Sequence, residues 1–338
     1  MFVLKKLILT QLCSLPPPRI LEGPLAPNTI LSKAKVLLHE NVLGPESFAV
    51  HSSFKTIYTG LKSGHIVELR AKGPDSITAV YLFKLISNNC SGSYSDALQC
   101  GRPLGLRFRK NKADYLLIAD AYHGLYEFNV VTGYDPNATP IKYLNDVDEL
   151  DDGITLILSE PSKKFSDRDC LYSLVEHGGD GRLLSYNIKT GEVKVLLDGL
   201  QYPNGIQVER SGKCVLFAEM GNIRILRYFL KPLSVICHLV IDNLPGYPDN
   251  IRFSKDGNLW VPLGSLRLQS DEFITRNQML RNSLAKVCLL NGSFFFIVYN
   301  NCTHLSSISQ VSEVHCKFLK VLAYVESISP QVLRATGG

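Results

Sequence analysis

Four oxygen-bearing side chains recur at one register of this sequence, and their types suit a hard metal cation. The register comes from five stretches that end alike, in an alternating apolar run: GPESFAV at Gly44, RPLGLRF at Arg102, YLNDVDEL at Tyr143, YPNGIQV at Tyr202 and YPDNIRF at Tyr247. Laid under one another, they place Glu46, Leu104, Asn145, Asn204 and Asp249 at one position. Two of these are carboxylates and two are amides, and Asn250 directly follows the last. Calcium takes six to eight such oxygens, at distances flexible enough for ligands gathered from separate strands. Acids gathered at one point repel one another, which a bound cation relieves. A single Asn or Asp ahead of a strand is more often a turn residue that bonds its own backbone. Agreement of register across four segments favours ligands, with Asp249 and Asn250 as the pair at the mouth of the last strand.

Such a set needs elements that carry distant residues to one point. The segments start about 40 to 60 residues apart, which is the spacing of propeller blades rather than of helical repeats. A turn and a second short strand follow four of them, in YLLIADAYHGLYEFN, ITLILSE, KCVLFAEMGNIRILRY and NLWVPLGS. β-branched and aromatic residues between Gly, Asn and Asp turns fill the chain, and helical periodicity is nearly absent. Asp256 falls in one such turn, KDGN, where it is expected to bond the turn backbone. The architecture expected is all-β, a six-bladed β-propeller whose last blade is truncated or irregular. Its innermost strands line a central channel, and their first residues meet at one face of the disc.

The chain has 338 residues, 45% of them hydrophobic and 20% charged, an ordinary globular composition. The net charge of +5 is spread along it. The densest basic cluster, RFRKNK from Arg107 to Lys112, reads as a solvated loop. With no concentrated basic face, nucleic acid is not an expected partner. Four sequons, at Asn89, Asn137, Asn291 and Asn301, suit N-glycosylation in a lumenal or extracellular compartment. The start, MFVLKKLILTQLCSLPPP, reads over residues 1–20 as a weak signal peptide or clipped membrane anchor, too short to span a bilayer comfortably. Cys90 and Cys100 bracket a polar loop that a disulfide would close in an oxidising compartment. The nine cysteines form no CxxC pair, so a zinc-thiolate site is not expected. These features point to the endomembrane lumen or the cell surface, with membrane association.

At these residues the sequence resembles the strictosidine synthase-like six-bladed propellers. The phrases that carry the resemblance are LEGPLAPNT, GPESFAV, CGRPLGLRF, ADAYHGLYEFN, GGDGRLLSYNIKTGEVKVLLDGLQYPNGIQV and PGYPDNIRFSKDGNLWV. The resemblance implies a propeller over residues 21–338, well matched over 21–267 and degenerate over 268–338. The wider superfamily includes paraoxonases and gluconolactonases, whose catalytic calcium is held by Glu, Asn, Asn and Asp on inner strands. Carried over by position, these fall on Glu46, Asn145, Asn204 and Asp249, with Asn250 as a further ligand. The resemblance also implies an arylesterase or lactonase-like activity, and a type II membrane orientation in close relatives.

Some positions depart from the family. Leu104 stands where paraoxonases place a histidine base. His123 falls in the turn after the next strand and reads as a solvent-facing turn residue, out of reach of a reacting proton. Ser312 stands where the plant synthase carries its glutamate, with Glu313 beside it, so synthase chemistry is disfavoured. Glu160 replaces a usual aspartate. Phe294 to Tyr299 reads as a buried strand, and past His315 the closing strand is missing, which would leave an open edge.

The favoured reading is therefore a calcium-dependent, arylesterase-like hydrolase of small-molecule esters or lactones. Asp249 or Glu46 would double as the base toward an attacking water. No Gly-x-Ser-x-Gly elbow is present, so a covalent route is not expected. The competing reading is a non-enzymatic, membrane-associated binding or adhesion propeller with a structural calcium. Leu104 and the truncated last blade favour that alternative.

Overall fold

The strand Tyr115–Asp120 shows why simple alternation is faint in this chain. Its Leu116 and Ile118 pack with Ala49, Tyr58 and Ile66 on one side, while Leu117 and Ala119 pack with Val147, Leu156 and Leu158 on the other. A strand buried on both faces reads as a continuous apolar run. The computed structural model describes residues 42–290, apart from 54–55, 74–75, 85–89, 135–140 and 232–236, together with residues 10, 11, 13, 15–23, 26 and 38.

Four antiparallel four-stranded sheets follow one another along the chain. Blade 1 comprises Phe48–Val50, Ile57–Gly60, His65–Gly73 and Ser76–Lys84; blade 2 comprises Pro103–Phe108, Tyr115–Asp120, Gly124–Asn129 and Gly133–Tyr134. Blade 3 comprises Val147–Glu149, Thr155–Glu160, Gly181–Asn187 and Val193–Leu200; blade 4 comprises Pro203–Val208, Cys214–Glu219, Arg224–Phe229 and Cys237–Ile241. In each, strands adjacent in sequence are adjacent in the sheet. The fifth unit is split: Gly246–Pro248 pairs with Leu263–Leu266, and Arg252–Phe253 pairs with Leu259–Trp260 across the expected hairpin. The apolar core lies between neighbouring blades, as with Ile157 and Leu183 against Ile206, Val215 and Phe217. This is a β-propeller; residues 291–338, on which the expected sixth blade falls, lie outside the described residues.

The first strand of each blade faces a common axis, and a closed circuit of hydrogen bonds shows it. Leu106 N–H donates to Ser47 Oγ at 3.2 Å, and Arg107 Nε to the Val147 carbonyl at 3.2 Å. Ile206 N–H donates to Asp146 Oδ2 at 2.8 Å, and Phe253 N–H to Gln207 Oε1 at 3.0 Å. Arg252 then returns to Ser47 Oγ at 3.2 Å.

Helices are more prominent than the sequence suggests. Besides the short α1 (Ala97–Cys100), α2 (Cys170–Glu176) lies in the excursion between the second and third strands of blade 3, and α3 (Gln269–Arg276) and α4 (Gln278–Leu290) follow blade 5. Thr10, Gln11, Leu15 and Pro16 contact these helices and blade 5. Gln11 N–H donates to Glu176 O at 2.7 Å, Thr10 Oγ1 to Asn282 Oδ1 at 2.7 Å and Arg267 to Pro16 O at 2.8 Å. Leu15 is buried beside Leu244 and Ile251. No helix among the described residues is long and apolar enough to cross a membrane. Cys90 and Cys100 form the expected disulfide, with their Cα atoms 5.7 Å apart. The four sequons, Asn89, Asn137, Asn291 and Asn301, lie outside the described residues, as do Phe294–Tyr299, Ser312 and Glu313.

Candidate metal centre

The inner strands begin irregularly, and that irregularity aims the candidate ligands. The ladder slips between Pro103 and Gly105 in blade 2 and between Pro203 and Ile206 in blade 4. Bulges of this kind re-aim side chains at the rim of a sheet. In blade 3 Asn145 precedes the strand, its N–H bonded to Ser159 O at 3.0 Å. In blade 5 Asp249 and Asn250 lie in the break between Gly246–Pro248 and Arg252–Phe253. Two glycines let neighbouring mouths close up. A Cβ on Gly105 would lie 2.7 Å from the Asn145 carbonyl oxygen, and one on Gly205 would lie 2.6 Å from the Asp249 carbonyl oxygen.

Glu46, Asn145, Asn204 and Asn250 are buried and Asp249 is half-buried. Asn250 Nδ2 donates to Glu46 Oε1 at 2.8 Å, joining blade 5 to blade 1. Glu46 Oε2 and the Oδ1 atoms of Asn145, Asn204 and Asn250 have no hydrogen-bond partner. Among the described residues, the other buried carboxylate or amide oxygens in that condition belong to Asp96 and Asp120. Each unsatisfied buried acceptor is unfavourable by about 1–3 kcal/mol, so four from four blades, three of them at the shared register and Asn250 one residue beyond it, are candidates for a shared partner. Burial, and after it the charge of Asp249, push the Glu46 carboxyl well above the ordinary carboxylate range; Arg102 and the Asn250 bond oppose the shift. Hard oxygens of mixed charge fit calcium. No group of three or more His, Cys, Asp or Glu suited to a metal occurs among the described residues, and here most of the donors are amides.

Three residues further along the same strands lies a second polar layer, which satisfies itself. Arg252 grips the buried Asp146 through two bonds of 2.7 and 3.0 Å. Asp148 Oδ2 accepts from Val208 N–H at 2.7 Å and from Gln207 Nε2 at 3.2 Å, with Arg107 3.9 Å away. Burial and the neighbouring Arg252 lower the Arg107 pKa.

Three expectations need correction. RFRKNK is not wholly a solvated loop: Arg107 belongs to the inner strand of blade 2, and the buried Arg109 pairs with Glu149 at 2.7 Å and with Glu127, leaving only Lys110 to Lys112 exposed. Glu149 reaches Arg109 from the first strand of blade 3 and Glu127 from the third strand of its own blade. His123 is in the expected turn, but its Nε2 is buried and unpartnered, and its N–H donates to Asp120 Oδ1 at 2.9 Å. Asp256 is exposed, and its turn is held instead by Ser254, whose Oγ accepts from Asn258 N–H at 3.1 Å. Glu160 is buried and pairs with Arg182, a structural role.

The sequence reading missed the wall beside the mouth. Leu104 packs with Ala121, Tyr143 and Tyr202, flanked by Tyr122, Cys170, Leu174 and Met220. The Tyr143 and Tyr202 hydroxyls meet at 2.6 Å. Burial, and then the Asp167 charge, raise the Cys170 thiol to about 12, so it is an inert thiol.

The strictosidine synthase family profile matches residues 145–232, and the strictosidine synthase-like N-terminal profile matches residues 23–69. The chain belongs to the strictosidine synthase-like family. It is similar to adipocyte plasma membrane-associated protein: 35% identical to that of Rattus norvegicus over 79% of this chain and 71% of the relative. With the Salmo salar protein the identity is 37% over 79% of this chain, and the chain spans 64% of that relative's length. Strictosidine synthase-like 13 of Arabidopsis thaliana is 33% identical over 72% of this chain and 64% of the relative. Among solved structures, the calcium-binding protein regucalcin from Agrobacterium tumefaciens aligns with TM-score 0.44 and 18% identity, over 65% of this chain and 67% of that one.

Proposed function

We propose that this protein is a calcium-dependent hydrolase of small-molecule esters or lactones, with Glu46, Asn145, Asn204, Asp249 and Asn250 holding the cation. The observation that carries the reading is the set of four buried oxygens, from four blades, that no donor meets. Calcium held there would polarise the carbonyl and stabilise negative charge developing on its oxygen. Of the two carboxylates, Asp249 is the better proton acceptor from an attacking water, because it is half-buried while Glu46 is buried and bonded to Asn250. Leu104, Tyr143 and Tyr202 form an apolar wall against which the organic part of an ester rests.

Phenyl acetate hydrolysis tests the reading. Turnover abolished by a chelator and restored by calcium supports it; calcium-dependent thermal stability without turnover supports instead a binding or adhesion propeller with a structural calcium. Leu104, at the position of a family histidine base, favours that second reading. For location we propose the cell surface or endomembrane lumen, in association with a membrane. Relatives bear a plasma membrane-associated name, and the Cys90–Cys100 disulfide suits an oxidising compartment. Any N-glycans would be carried at Asn89, Asn137, Asn291 or Asn301.

A further inference from the structure

Two residues before Asn145 stands Tyr143, and two residues before Asn204 stands Tyr202. Both have left-handed backbones, with φ of 47° and 54°, a region that bulky side chains avoid unless their surroundings hold them there. Both are buried, and their hydroxyls are 2.6 Å apart, bridging blade 3 to blade 4. Tyr202 is further fixed by the Met220 N–H, which donates to its carbonyl at 3.0 Å, and Met220 Sδ lies 4.0 Å from Asn204 Nδ2. Blade 5 repeats the spacing with Tyr247 before Asp249, but the hydroxyl contact joins only the two residues that precede amides.

We propose that the Tyr143–Tyr202 hydroxyl bond is a clasp that positions the Asn145 and Asn204 amides, so that calcium affinity is set partly before the cation arrives. The inference rests on the calcium reading above. An amide oxygen is a neutral ligand and pulls weakly on calcium, so its position must be held by the fold. Backbone strain kept at two equivalent positions beside a candidate site, and locked by a bond between them, is how a fold holds such a position. The two hydroxyls position the amides, while the rings line the apolar wall beside the mouth.

The test is calorimetric calcium titration into the wild-type protein, Tyr143→Phe, Tyr202→Phe and the double variant, with thermal unfolding of each in chelator. The expected result is affinity about threefold weaker for Tyr143→Phe and up to about tenfold weaker for Tyr202→Phe, the size of one net hydrogen bond. The double variant should be no weaker than Tyr202→Phe alone, since both changes break one bond. Unchanged affinity in both single variants overturns the clasp, even if their unfolding temperatures fall, because that pattern is a structural hydroxyl pair. Additive losses in the double variant also overturn it. If the wild-type protein itself takes up no calcium, the calcium reading fails and the clasp fails with it. Should Tyr202→Phe not fold, Tyr143→Phe carries the test alone, because the Tyr202 hydroxyl keeps a hydrogen bond with Cys170.

Discussion

At the mouth of the channel, Glu46, Asn145, Asn204 and Asn250 each bury an oxygen that no donor meets, whereas three residues further along the same strands Arg107, Asp148 and Gln207 bond to one another and to the surrounding backbone, and Arg252 grips Asp146. The two layers share their strands, their axis and their burial, so burial alone does not separate them. What differs is balance. The deeper layer sets two arginines against Asp146 and Asp148, and the backbone N–H groups of Ile206 and Val208 complete the carboxylates. The mouth sets Glu46 beside Asp249 and supplies amide oxygens rather than cations. The fold thus neutralises the deeper layer with its own arginines and backbone, and leaves the mouth without such partners.

The difference is most sharply tested at Arg252. Arg252→Met leaves Asp146 buried without its partner, which should destabilise the protein by about 3–5 kcal/mol, equally with and without calcium. Urea unfolding in calcium and in chelator measures both halves. A loss confined to the calcium form would mean that the deeper layer serves the ion and not the fold.

Calcium itself should stabilise the mouth by about 2.7 kcal/mol at a hundredfold excess over its Kd. The pH dependence has a definite sign. Glu46 has a raised pKa in the metal-free fold, so its contribution is fully present below the unfolded carboxylate value and is lost as pH rises through the folded one. In chelator, stability should therefore decline from about pH 4 upward for this group, and calcium should remove the decline. Titration in two buffers of different ionisation enthalpy should detect proton release on binding. Binding that takes up protons would contradict the assignment of Glu46.

A smaller effect, of opposite sign in metal-free stability and in calcium affinity, is expected at Asn204. Asn204→Leu removes an unsatisfied amide, so the metal-free protein should be no less stable, or more stable by about 1 kcal/mol. Calcium affinity should fall about tenfold or more with the ligand gone. Destabilisation in chelator would show that the amide already serves the fold.

Much of this was legible because repetition supplies a register. Five separated stretches with a common ending place Glu46, Asn145, Asn204 and Asp249 at one register, whereas the bulges at the starts of the blade 2 and blade 4 strands leave no mark in the letters. Arg107 was less legible, since a basic cluster looks the same in sequence whether it is solvated or, as here, partly turned onto Asp148 and Glu149 from other blades. The α2 and α4 helices escaped notice because short helices held by tertiary contacts, such as Arg281 to the Val175 carbonyl, need little intrinsic periodicity. The tyrosine pair was visible as letters, but its positive φ and hydroxyl contact depend on blades 3 and 4 meeting.

Two acids seven residues apart, Asp249 and Asp256, put a calcium centre at the mouth of the inner strands to the test. Asp249 is half-buried, with its charge acting on Glu46 at the mouth, and Asp256 is exposed in a hairpin turn that Ser254 holds. Calcium titrated calorimetrically should bind Asp256→Ala as it binds the wild-type protein, and Asp249→Ala about a hundredfold more weakly, since a charged ligand has gone. Equal affinity in the two variants would contradict the account.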